Sequence, residues 1–101
     1  MARILIAEDE ESLRAMFARA LTTDGHAVET AADGSEALDV LARANGRFDL
    51  LLTDIRMPIM DGIALALAVA RDFPDLTILL MTGYADQRER AQGLELSLIH
   101  I

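Results

Sequence analysis

Apolar residues arrive along this chain in two alternating rhythms. Arg3 to Ala7 is a short, nearly unbroken apolar run, the pattern of a strand buried on both faces of a parallel sheet. Beyond the acids Glu8-Asp9-Glu10-Glu11, residues Leu13, Met16, Phe17, Ala20 and Leu21 recur at helical spacing, and Asp24-Gly25 stops the helix they predict. His26 to Ala31 reads as a second strand, followed by the turn pair Asp33-Gly34 and a helix through Arg43 that Ser35 is placed to cap and Asn45-Gly46 ends. Leu50 to Asp54 is the third strand. Pro58 pushes Met57 out of helical geometry, Asp61 is suited to cap a third helix from about Gly62 to Asp72, and Pro74 enforces its end. Leu76 to Thr82 gives a fourth strand, and after Gly83-Tyr84-Ala85-Asp86 a short charged helix around Gln87 to Gln92 is closed by Gly93.

Strict alternation with short connections predicts a parallel sheet covered by helices on both faces. Eight such elements in about 95 residues are too few for a barrel, so the expected fold is an open three-layer α/β sandwich. The chain has 101 residues, one domain's worth, and 52% hydrophobic content is enough for one core. No cysteine is present, which removes disulfides and thiolate metal sites and suits a reducing cytoplasm. The first apolar run is too short for a signal peptide or a membrane span. A net charge of −8 without a basic cluster argues against direct nucleic-acid binding, because nothing would displace counterions from phosphates. The same imbalance favours a divalent cation or a basic partner surface.

Candidate chemistry lies at the C-terminal ends of the strands, where open α/β sheets bind ligands. Glu8 and Asp9 follow the first strand, Asp54 ends the third and Thr82 the fourth. If the first and third strands are neighbours, three carboxylates converge, which is unfavourable unless a cation or a proton joins them. Hard oxygen ligands suit Mg²⁺ better than zinc. A carboxylate beside Mg²⁺ can accept a phosphoryl group, a transfer that depends mainly on positioning and charge neutralisation; Thr82 offers a hydroxyl and Gly83 the space beside it. Each piece also has a plain structural reading. Four acids after a strand suit a helix N-terminus, Asp54 can be a loop cap, Thr82 an ordinary strand threonine and Asp61 the cap of the third helix. His26 and His100 read as incidental, Met57 and Met60 as packing residues, and Arg88 and Arg90 as a solvated face. The conjunction of acids, Asp and Thr at three strand ends is what favours a site.

That conjunction resembles the receiver domain of bacterial two-component response regulators. The resemblance runs through Ile4-Leu5-Ile6-Ala7-Glu8-Asp9-Glu10 with Arg14, Asp54-Ile55-Arg56-Met57-Pro58, Asp61-Gly62 and Met81-Thr82-Gly83. It implies a flavodoxin-like, doubly wound sheet of strand order 2-1-3-4 that takes a phosphoryl group from a histidine kinase or histidine phosphotransfer protein. By the same resemblance Asp54 is the phosphoacceptor and Thr82 the switch hydroxyl. Asp9 is a direct Mg²⁺ ligand, Glu8 reaches the ion through water, and Arg56 gives its backbone carbonyl. In detail the sequence is similar to CpdR-like single-domain regulators of alphaproteobacteria. A receiver continues with a fifth strand ending in Lys and a last helix, whereas this chain contains no lysine.

The expectation is therefore a receiver at 1–95 whose fifth strand and last helix are missing or vestigial. The tail at 96–101 resembles translated adapter sequence and is expected to be non-native or vestigial. Reduced phosphotransfer, an apolar fourth strand at the sheet edge and uncovered apolar surface beside the first helix follow from that. Two other classes compete: a phosphorylation-independent interaction module, and a phosphatase of the haloacid dehalogenase type. The latter needs an Asp-x-Asp-x-Thr arrangement that Glu8-Asp9-Glu10-Glu11-Ser12 does not supply.

Overall fold

A computed structural model gives the fold and describes residues 1–82 and 97–100. The strands are β1 (Arg3–Ala7), β2 (Ala27–Ala31), β3 (Leu50–Asp54), β4 (Thr77–Thr82) and β5 (Ser97–His100). Among the described residues the helices are α1 (Glu11–Thr23), α2 (Gly34–Arg43) and α3 (Gly62–Asp72). The sheet order is β2-β1-β3-β4-β5, with the first four strands parallel, so the expected 2-1-3-4 arrangement is present. The helix expected around Gln87 to Gln92, with its flanking Gly83 to Asp86 and Gly93, lies outside the described residues.

One edge differs from the expectation. β4 is not at the edge: β5 pairs with it antiparallel, Leu80 opposite Ile99 and Thr82 opposite Ser97.

Residues alternate faces along each strand, and the register aligns the faces across the sheet. Leu5, Ala7, Leu51, Ile78 and Leu80 point to one side, where they pack with Ala37, Val40 and Leu41 of α2 and Leu65, Ala66 and Val69 of α3. This is the main core. On the other side Ile4 and Ile6 are buried with Leu13 of α1, while Leu50, Leu52 and Leu79 are only half-buried. α1 sits over β1 and β2, which explains the difference.

The helix starts follow from side chains that accept the otherwise unbonded N–H groups of a first turn. Glu10 caps α1 through the N–H of Leu13 at 3.1 Å, and Asp61 caps α3 through Ala64 at 2.9 Å. α2 corrects the sequence reading: Asp33 accepts from the N–H of Glu36 at 2.9 Å, so Ser35 lies inside the helix and does not cap it. A cap must sit two or three residues before the N–H it satisfies, which Asp33 does and Ser35 does not. His26 is also not incidental. It precedes β2, and its Nδ1 accepts from the N–H of Ala2 at 3.0 Å, tying the entry of β1 to that of β2.

Candidate functional site

β1 and β3 are hydrogen-bonded neighbours with Ala7 opposite Thr53, so the residues that follow, Glu8 and Asp54, leave the sheet side by side. Glu8 is fully buried, its N–H donating to the Ala31 carbonyl at 3.0 Å and its own carbonyl accepting from Arg14 Nη1 at 2.9 Å. The Glu8 carboxylate accepts from the N–H of Glu10 at 3.0 Å, which turns the chain into α1 and leaves Asp9 at the bend. Asp54 is 4% exposed. Its Oδ1 lies 3.4 Å from the N–H of Arg56, and its carbonyl accepts from the Thr53 hydroxyl at 2.9 Å.

Glu8, Asp9 and Asp54 each offer a carboxylate oxygen within 4.8 Å of the others. Three like charges so close repel strongly away from bulk water, so the cluster as a set calls for positive charge. Asp9 supplies the sharper indication, because its Oδ1 is buried and has no hydrogen-bond partner. A buried carboxylate oxygen left so costs free energy unless something else coordinates it. An all-oxygen donor set with an orphaned oxygen fits a small hard cation such as Mg²⁺.

Of the three carboxylates, Asp9 opens onto a crevice of about 520 Å³ that Ile55, Arg56, Met57, Pro58 and Asp61 also line. Its far wall is the β3–α3 loop, and that wall is held firmly. Gly62 N–H donates to the Ile55 carbonyl at 2.8 Å, Gly34 N–H to the Met60 carbonyl at 3.1 Å, and Met60 N–H to the Pro58 carbonyl at 2.6 Å. The last bond closes a three-residue turn around Ile59, whose φ of 67° is left-handed and unfavourable for a β-branched residue. Met57 and Met60 pack against the main core, as expected of them. Gly62 has a specific reason to be glycine: a Cβ there would stand 2.1 Å from the Asp54 carbonyl oxygen.

The sequence-predicted residues Glu8, Asp9 and Asp54 are brought together, and Arg56 lines the same crevice. Thr82 ends β4 one position beyond Met81, the residue opposite Asp54; its side chain, like the space at Gly83, lies outside the described residues. Sequence reasoning gave Asp61 a structural role alone, yet it both caps α3 and lines the crevice. Its position next to Gly62 at the close approach to Asp54 was the available signal. The strain at Ile59 had none, because nothing in Pro58-Ile59-Met60 specifies a left-handed turn.

Four parallel strands with three carboxylates gathered at their C-terminal rim, one of them ending a central strand, give the arrangement that the receiver resemblance implies. The comparisons make the assignment specific. Residues 4–100 match the response regulator receiver domain, and the chain belongs to that family. It is 38% identical over 93 residues to the response regulator MprA of Mycobacterium sp. (strain KMS), covering 92% of this chain and 40% of that protein. It is 36% identical over 85 residues to the sensor kinase CckA of Brucella abortus (strain 2308), covering 84% of this chain and 9% of that one. Among solved structures, the response regulator TrrA of Thermotoga maritima in complex with Mg²⁺ and BeF superposes with a TM-score of 0.74 at 33% identity, over 91% of this chain and 76% of that one. The chain thus spans less than half the length of these curated relatives. Receiver domains act with histidine kinases or phosphotransfer proteins, and the family is a signalling family more than an enzyme family. No helix among the described residues is long and apolar enough to cross a membrane.

Proposed function

We propose that Asp54 is the phosphoacceptor of this receiver and that Glu8, Asp9, Asp54 and the backbone carbonyl of Arg56 hold a Mg²⁺ ion beside it. The single observation that carries this reading is the orphaned, buried Asp9 Oδ1 within a cluster of three carboxylates. When bound, Mg²⁺ neutralises charge on the carboxylates and on an incoming phosphoryl group. The chain's own part is to hold the acceptor still. Asp54 is fixed by the end of β3 and by the Arg56 N–H, beside the crevice from which a donor approaches. Transfer forms a bond from an Asp54 carboxylate oxygen to phosphorus and breaks the phosphorus–nitrogen bond of a phosphohistidine, whose imidazole leaves with a proton.

Thr82 takes the role of the hydroxyl that meets the phosphoryl group, from its place at the end of β4. The chain has no lysine to add a further cationic contact, so transfer is slow relative to a receiver that has one. The domain acts without catalysing turnover of a separate substrate and supports its own phosphorylation and dephosphorylation. The donor is a histidine kinase or phosphotransfer protein, and the setting is cytoplasmic. Incubation with acetyl phosphate and Mg²⁺, borohydride trapping and peptide mass spectrometry tests the assignment. Label on Asp54 that disappears with EDTA is expected; label on other carboxylates, or none after prolonged incubation, would refute it.

A further inference from the structure

Arg14 stands where a cation is out of place. It closes the first turn of α1, its N–H donating to the Glu10 carbonyl at 2.9 Å, and the N-terminal end of a helix disfavours positive charge. The side chain is half-buried and turns back along the chain, where Nη1 donates to the carbonyl of Glu8 at 2.9 Å. That carbonyl belongs to the peptide unit joining Glu8 to Asp9, and a peptide unit is planar from one Cα to the next. Fixing the oxygen therefore fixes the plane from which the Asp9 side chain springs. The preceding peptide unit is tied as well, since the Glu8 N–H donates to the Ala31 carbonyl at 3.0 Å. The Cα that carries the buried, unpartnered Asp9 Oδ1 is thus set from the end of β2 on one side and from α1 on the other.

We propose that Arg14 is a positioning residue of the cation site, holding the Glu8–Asp9 turn in the shape that a small ion requires. The role rests on the Mg²⁺ site proposed above and adds to it what keeps the carboxylates in register before the ion arrives. Mg²⁺ demands near-octahedral geometry at about 2.1 Å, whereas Ca²⁺ accepts irregular shells of about six to eight oxygens at about 2.3–2.6 Å. Without the bond to the Glu8 carbonyl, the turn relaxes under the mutual repulsion of three carboxylates that lie within 4.8 Å of one another. The site then widens, which the larger ion tolerates and Mg²⁺ does not. Partners that orient metal ligands are typically worth about 10–100-fold in affinity. Charge alone predicts the opposite sign, because a guanidinium repels a dication and its removal would tighten binding. The direction of the change separates the two roles.

Calorimetric titration of the full chain with Mg²⁺ and, separately, with Ca²⁺ is the test, with thermal midpoints from circular dichroism to verify folding. Arg14→Met keeps the apolar stem and removes every donor; it should lose at least about tenfold in Mg²⁺ affinity and no more than about threefold in Ca²⁺ affinity. Arg14→Lys keeps a donor at the end of a long stem and should recover Mg²⁺ affinity to within about threefold of the parent. Arg19→Met, exposed on the same helix, is the control and should bind as the parent does. If Arg14→Met does not fold, Arg14→Gln, whose neutral amide ends two bonds short of the guanidinium, carries the same prediction. Mg²⁺ binding in the variant that equals or exceeds the parent's, an equal loss for both ions, or no recovery with lysine would each overturn the proposal. A parent that binds no Mg²⁺ would instead remove the cation site itself, and this role with it.

Discussion

Replacing Gly62 with alanine should damage both the fold and the site through one contact. The added Cβ would stand 2.1 Å from the Asp54 carbonyl oxygen and 2.9 Å from both the Asp54 carbonyl carbon and the Ile55 Cα. A relaxed carbon–oxygen contact is about 3.2 Å, so about 1 Å of movement is required, and every obstructing atom is backbone. Overpacking by a methyl group costs about 1–3 kcal/mol where side chains can shift, and the upper end applies where they cannot. The displacement also strains the Gly62 N–H bond to Ile55, worth about 1 kcal/mol. Alanine recovers about 0.5 kcal/mol through the unfolded chain, leaving a net cost of about 3.5 kcal/mol. With a urea slope of about 1.5 kcal/mol per molar, the midpoint should fall by about 2 M in a denaturation followed by circular dichroism. Gly25→Ala is the control: nothing lies within 4 Å of its Cβ, but its φ of +92° leaves a backbone penalty of about 1 kcal/mol. If Gly62→Ala costs no more than Gly25→Ala, the close approach is not what makes position 62 glycine.

Three further substitutions test local claims. Ile59→Gly should raise stability by about 0.5–1 kcal/mol, since relief of a left-handed β-branched residue outweighs the added freedom of the unfolded chain; a lower thermal midpoint would refute the strain. Asp33→Ala should cost about 1 kcal/mol through loss of the cap, whereas Ser35→Ala should be within a few tenths of neutral; the reverse ranking in urea titrations would contradict the cap assignment.

The sheet and its acid cluster were legible because they rest on periodicity and on which residues end each strand. Ile4 to Ala7 and Leu50 to Leu52 are apolar throughout, and the carboxylates come where the apolar runs stop. What the sequence hid depends on side chains choosing among local partners. Asp33 and Ser35 are both good caps by type, and only the position of the first helical N–H groups separates them. His26 accepts from Ala2, a residue 24 positions away, which no local pattern encodes. The left-handed turn at Ile59 is closed by the bond between Pro58 and Met60 on either side of it and held by the further bonds of Met60 and Gly62. The direction of β5 escaped because an apolar strand such as β4 announces that it needs a neighbour without saying in which direction that neighbour runs.

The central claim is that three carboxylates from β1 and β3 form one cation site. Calorimetric titration of Mg²⁺ into the parent chain and into Asp9→Asn, with Asp39→Asn as a remote control, measures it directly. The account predicts one-site binding in the parent, the same affinity in Asp39→Asn and at least a tenfold loss in Asp9→Asn. Equal affinity in all three proteins would contradict it.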